Sequence, residues 1–339
     1  MRTGKLTQTA WRRSVRRQLR TKRDEVISVP LPYENCSGIR TENGAVLMWA
    51  DACAAGNGAK TGFYAMIHAA GDLAAKGTGA AGVSVRVMLP EGAEEDLLRH
   101  IAGEAERACA GMNIQITAFQ GEVTVAAAQP IIYACAAGVK ENTPCRDPEQ
   151  QTAESGSGAE LLMCGYAGLE GTLRILSESR ADLSTRFTDT FLDEAERLED
   201  ELVMPGQMLR VFDADGNAAV RQIGSGGILA ALWELCEQKE AGFEIDMHHI
   251  ALKQETVEIC EFYRLNPYQM TSAGSFLILT ERADEVLAAL EDAGAHAVRL
   301  GTAGKQNARV IRNGEETRYL DRPAPDELLR WQTERRETC

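Results

Sequence analysis

Gly224-Ser225-Gly226-Gly227 runs straight into Ile228-Leu229-Ala230-Ala231-Leu232-Trp233-Glu234-Leu235. Glycines let the backbone turn sharply and approach a ligand, and the apolar residues that follow favour a helix. The first amides of such a helix have no internal partner and carry partial positive charge, so the loop reads as an anion cradle. A plain turn explains the same glycines. The loop is not a Walker motif, since no Lys-Ser or Lys-Thr follows, and it is not GxGxxG.

Downstream, Ser275 to Leu279 reads as a strand, Asp284 to Ala293 as a helix stopped by Gly294, and Ala297 to Leu300 as a strand; such a unit implies parallel pairing. Asn313-Gly314 between Arg309-Val310-Ile311 and Thr317-Arg318-Tyr319 predicts a type I′ hairpin. Upstream come a strand, Leu161 to Cys164, and a helical hairpin formed by Leu173 to Ser179 and by Phe191, Ala195, Leu198 and Leu202. This half is α/β. The first half reads as α+β: a strand from Ala45 to Met48 ending at Trp49 and Asp51, a helix from Thr61 to Lys76, a strand from Val83 to Leu89 and a helix from Asp96 to Ala110. Two further strands, Ile114 to Phe119 and Ile131 to Ala136, follow. Residues 140–158 lose apolar periodicity and collect Pro, Gly, Ser and charge. The domain boundary is placed there, giving domains 1–150 and 159–339.

The chain has 339 residues, 44% of them hydrophobic, enough for two cores. No run is long enough to span a membrane and no signal-peptide stretch follows the basic start, so a cytoplasmic location is expected. Net charge is -14, yet residues 1–23 hold nine Lys and Arg and no acid, leaving 27 bases against 50 acids. An acidic body repels a phosphate backbone, which argues against nucleic-acid binding. The basic arm mimics a transit peptide, but Trp11, Val15 and Leu19 at four-residue spacing favour a surface helix. Nine scattered cysteines show no CxxC and no zinc spacing, the pattern of reduced thiols.

From Gly224 to Leu329 the chain resembles the carboxy-terminal half of the hydrogenase maturation factor HypE and its AIR synthase-related, PurM-like relatives. The likeness runs through GSGGILAALWELCE, through GFEIDMHHIALKQETVEICEFYRLNPYQMTSAGSFLIL and into the YLDRPAPDELLR tail. Tyr166-Ala167-Gly168-Leu169-Glu170-Gly171-Thr172 is similar to that family's WIGLEGT block. The resemblance implies a two-domain PurM-like fold with an amino-terminal α+β, barrel-forming domain and a carboxy-terminal α/β domain. It also implies a homodimer, ATP with Mg²⁺ in the cleft between domains, and a maturation-type protein partner.

Hard Mg²⁺ calls for carboxylate oxygens, and the resemblance singles out three acids as metal ligands: Asp51, Asp72 in AAGDLAAKG, and Glu122 in QGEVT. It places Gly224, Ser225, Gly226 and Gly227 near phosphate, and Lys5 of Gly4-Lys5-Leu6 near the nucleotide. HypE ends in a cysteine that carries a carbamoyl group, turned to a nitrile by ATP-dependent dehydration; Cys339 ends this chain. Three positions depart from the family: an Asp becomes Asn35, a glycine becomes Phe119, and the Asp of DVTEGG becomes Gln222. The first and third remove negative charge where metal-bridged phosphates would lie, and Phe119 puts a bulky ring where the family has a close-approach backbone. An alternative is therefore a non-catalytic paralogue with a degenerate nucleotide site, acting as a dimeric binding or regulatory module. Alternation along Val83 to Leu89 puts Val83, Val85, Val87 and Leu89 in the core and leaves Arg86 and Met88 facing a partner protomer. His248-His249 points to opposite faces of an extended segment, and Asp213-Ala214-Asp215-Gly216-Asn217 lacks the closing Glu of a calcium loop.

Overall fold

A computed structural model describes residues 4–140, 158–304 and 307–338. The expected linker falls almost wholly outside these residues.

After a short helix α1 (Gln8–Trp11) and a π-helical turn (Arg12–Arg16), the first half builds strands β1 (Cys36–Arg40) and β2 (Val46–Ala55), helix α2 (Lys60–Ala74), and strand β3 (Gly82–Leu89). Helix α3 (Glu95–Met112) and strands β4 (Gln115–Val123) and β5 (Ile131–Lys140) complete it. The arm's helix ends earlier than the spacing predicts: Trp11 and Val15 are half-buried, but Leu19, beyond the helical turns, is 53% exposed.

The strands form one sheet, ordered β1-β2-β5-β3-β4. Helices α2 and α3 cover one face, where Ala50, Ala54, Val83, Val85, Val87, Leu89, Ile132 and Ala134 meet Phe63, Met66, Ile67, Ala70 and Ile101. The alternation read in β3 is therefore realised, with Ser84 and Arg86 exposed on the other face and Met88 half-buried there. The barrel expected of this domain does not form. Edges β1 and β4 stand at opposite ends of five strands, roughly 19 Å apart at strand spacing, and the described residues supply no strand to join them. The sheet is open. β2 also runs on to Ala55, paired to Ile131, so Asp51 lies mid-strand rather than at a strand end. The small residues Ala52 to Ala55 let the ladder continue past it.

The second half begins with β6 (Glu160–Cys164), α4 (Leu169–Leu183), α5 (Asp189–Arg197), α6 (Pro205–Ala214), β7 (Ala219–Gln222) and α7 (Gly227–Lys239). Strand β8 (Gly242–Asp246), α8 (Gln254–Phe262), β9 (Phe276–Thr280), α9 (Ala283–Asp292), β10 (Ala297–Gly304), β11 (Arg309–Asn313), β12 (Glu316–Tyr319) and α10 (Glu327–Thr338) follow. Seven strands form a mixed sheet, β12-β11-β8-β10-β6-β9-β7. It is a three-layer sandwich: Leu162, Phe276 and Ile278 pack under α6 and α9 on one face, and Leu161, Met163 and Leu277 pack under α7 on the other.

Two expectations are refined here. The parallel pairing read for β9 and β10 does not occur: β6 lies between them, antiparallel to both, because its uninterrupted apolar side chains need cover on both faces. The β11–β12 hairpin forms at Gly314, yet only Gly314 takes a positive φ, +61°. A glycine at the first turn position with an ordinary second residue is the II′ pattern, not I′.

Helix α2 is the joint. Leu169, Leu173, Leu198, Leu202 and Ala273 of the second half share the first half's core, so burial of apolar surface ties the two halves together.

Candidate functional site at the junction of the two halves

On α2, almost wholly buried, and in the turn that closes it, three polar residues recur every fourth position: His68 and Asp72 on the helix and Lys76 just past its end. That spacing puts them on one stripe. The stripe faces the second half at one end and the segment before β1 at the other. His68 Nε2 lies 3.0 Å from Glu170 Oε2, Asp72 is met by side chains from both halves, and Lys76 donates to Glu34 at 2.8 Å.

Glu170 sits in the first turn of α4 with no solvent exposure. Its Oε2 also accepts from Thr271 Oγ1 at 2.6 Å and the Ala273 amide at 2.9 Å, while Oε1 accepts from Arg174 at 3.2 Å. Burial alone would push this carboxyl up; His68, Arg174 and Thr271 outweigh it and hold the group at about 2. Burial works against a charge on His68 too, but Glu170 and then Asp72 raise its pKa above the ordinary histidine value. Such a buried ion pair is held in place because each carboxylate oxygen has a donor.

Asp72 is held by two amides. Asn35 Nδ2 donates to Oδ2 at 2.8 Å, and Gln222 Nε2 donates to Oδ1 at 3.0 Å. Gln222 is the last residue of β7 and leads into the glycine loop. In that loop Gly226 and Gly227 take φ of +89° and +67°. A Cβ on Gly227 would stand 2.5 Å from the Tyr268 carbonyl, so this glycine serves close packing. The Gly226 amide donates to Asp326 Oδ2 at 2.6 Å, and Leu328 donates to Oδ1 at 2.9 Å. A carboxylate of the chain itself therefore takes one amide of the cradle. Burial lifts Asp326 to about 6 although both amides oppose the shift. Gly224 is half-buried and Ser225 exposed, and a Cβ on Gly224 would meet only His68 Cε1, at 3.9 Å.

The other expected site residues lie apart. Lys5 donates to Glu234 of α7 at 2.7 Å, and the same buried carboxylate receives Arg221. Asp51 is exposed on the outer face of the first sheet, in a shallow hollow with Ser84, Arg86, Gln120, Tyr133 and Cys135. Glu122 is exposed on edge strand β4, opposite Met88. Phe119 on the same strand is 37% exposed. Cys339 lies outside the described residues. Among the described residues no group of three or more His, Cys, Asp or Glu side chains is placed to hold a metal ion. Mg²⁺ wants oxygens at about 2.1 Å in an octahedron, and Asp72, ringed by amide donors, does not offer them. The donors around Asp72 do not suit a metal ion. Sequence reading passed over His68, Glu170, Arg174 and Asp326, although the spacing 68, 72, 76 and the Glu170–Arg174 step of four were there to find.

Residues 156–312 match the AIR synthase related protein, C-terminal domain family. Carbamoyl dehydratase HypE of Rhodobacter capsulatus is 24% identical over 261 residues, 75% of this chain and 73% of that protein. The solved HypE–HypF complex superposes with a TM-score of 0.68 at 16% identity, covering 86% of this chain and 93% of that one. HypE in complex with ATP superposes at 0.61 and 18% identity, covering 82% and 87%. The resemblance to HypE and the PurM-like, AIR synthase-related proteins is thus shown, in sequence and in the two-domain α/β architecture.

Proposed function

We propose that this chain is a HypE-like maturation-type factor that takes ATP at the junction of its two halves and works with a protein partner. The observation that carries this reading is the meeting of the Gly224–Ser225 loop, Gln222 and the His68–Asp72 stripe at one junction of the two halves. Its likeness to a HypE that binds ATP and to one solved with HypF supports it. In this reading phosphate lies against Gly224 and Ser225, and His68 and Glu170 hold the loop's neighbours in place. Lys5 steadies α7 from outside the cleft. Cys339 is the terminal thiol that would carry a carbamoyl group if the chemistry is that of HypE. The domains are proposed as 1–150 and 159–339, in the cytoplasm. Homodimerisation would use the exposed sheet face bearing Leu47, Asp51, Arg86, Tyr133 and Val139, together with Met88 and the Glu122 edge.

A second reading is favoured by the capped Asp72 and the capped Gly226 amide: a non-catalytic paralogue that keeps the scaffold as a binding or regulatory module. Isothermal titration of the full chain with ATP, with and without Mg²⁺, separates the two. Heat that ADP displaces supports the first; no heat up to millimolar ATP sinks it and leaves the module.

A further inference from the structure

The amide of Gln222 is fixed on all sides. Its Nε2 donates both to the His68 carbonyl at 2.9 Å and to Asp72 Oδ1 at 3.0 Å, and its Oε1 accepts from the Gly274 amide at 3.3 Å. Turning the amide over would set an oxygen against two acceptors and an NH₂ against a donor, leaving buried groups unsatisfied. Gln222 is only 4% exposed. Room for it comes from Gly71, where a Cβ would fall 2.1 Å from Gln222 Oε1. Asn35, exposed at the mouth, donates to the other oxygen of Asp72 at 2.8 Å. Each oxygen of one carboxylate on α2 is thus met by an amide, one from the segment before β1 and one from β7 in the other half.

Opposed carboxylates at such a place would repel and call for a cation; amides of nearly the same shape need none. We infer that the Asn35–Asp72–Gln222 clasp stands in for a divalent cation at the domain junction, so that Asp72 takes no metal and the segment before β1, α2 and β7 stay joined without one. Gln222 is the residue that sets this: it reaches a main-chain acceptor and a main-chain donor together with Asp72, which a shorter Asp could not do. The inference goes beyond the proposed function, because it concerns how the chain's own residues join at the junction and holds whether or not ATP binds.

The test uses the full chain without nucleotide, melted in EDTA, in millimolar MgCl₂ and in MnCl₂, alongside Asn35→Asp and the double variant Asn35→Asp/Gln222→Glu. The wild type is expected to melt at one temperature in all three. The double variant gathers three carboxylates; it should melt lower in EDTA and recover by about 4 °C at a hundredfold excess of Mn²⁺ over its Kd. Folding of that variant only when Mn²⁺ is added would support the clasp equally. Asn35→Asp, at an exposed position, should fold and respond to Mn²⁺ in the same sense but less. A wild-type melt raised by either metal and made insensitive by Asp72→Asn would overturn the inference, as would variants that ignore Mn²⁺ altogether.

Discussion

Replacing Glu170 by Gln keeps shape and removes one charge from the centre of the molecule. A single Gln oxygen can serve His68, Thr271 and Ala273, but its NH₂ then faces the guanidinium of Arg174, donor against donor. Turned over, it faces three donors instead. Either way a buried cation loses its partner, which costs about 3–5 kcal/mol. Titration gives a second route to the magnitude. A carboxyl held at about 2 against an ordinary 4.5 contributes about 3 kcal/mol of stability. Its folded pKa is depressed, so that contribution is present above pH 4.5 and is lost as pH falls toward 2. Equilibrium urea unfolding of wild type and Glu170→Gln between pH 3 and 7 reads both effects. The variant should be less stable at pH 7 by about 3 kcal/mol or more, and the gap should shrink in acid. A gap under about 1 kcal/mol at pH 7, the worth of an ordinary hydrogen bond, or an unchanged acid slope, would refute the reasoning.

Asp326 behaves with the opposite sign: raised to about 6 from 3.8, its contribution is complete below pH 3.8 and is lost as pH rises through 6. Asp326→Asn should therefore gain on wild type as pH rises from about 4 to 7, by up to about 3 kcal/mol; a pH-independent difference in urea midpoints would count against it. On the outer sheet face, Met88→Glu should shift a dimer to monomer without unfolding, whereas Val85→Glu, charging a position 3% exposed, should unfold the first half. Size-exclusion chromatography with light scattering checks both, and a wild-type monomer at tens of micromolar, on the order of ordinary dimer working concentrations, would remove the dimer from the proposal.

By itself the sequence determined what repeats locally. The periodicity of α2 and α3, the alternation of β3, the hairpin at Gly314 and the glycine loop before α7 could be read from neighbours two to four residues apart, because helices and strands impose those periods on any chain. It also carried the likeness to HypE. Tertiary structure alone decided which distant groups meet. Asn35, Asp72 and Gln222 look like a damaged acidic site in sequence, yet they close on one another across 37 and 150 positions. Gly226 reads as a bare cradle until Asp326, a hundred residues on, supplies the carboxylate. Asp51 and Glu122 share a chemistry with Asp72 but point elsewhere, since a strand's two faces diverge and β4 is an edge. Closure of the first sheet depended likewise on where its edge strands stand, which no local period encodes.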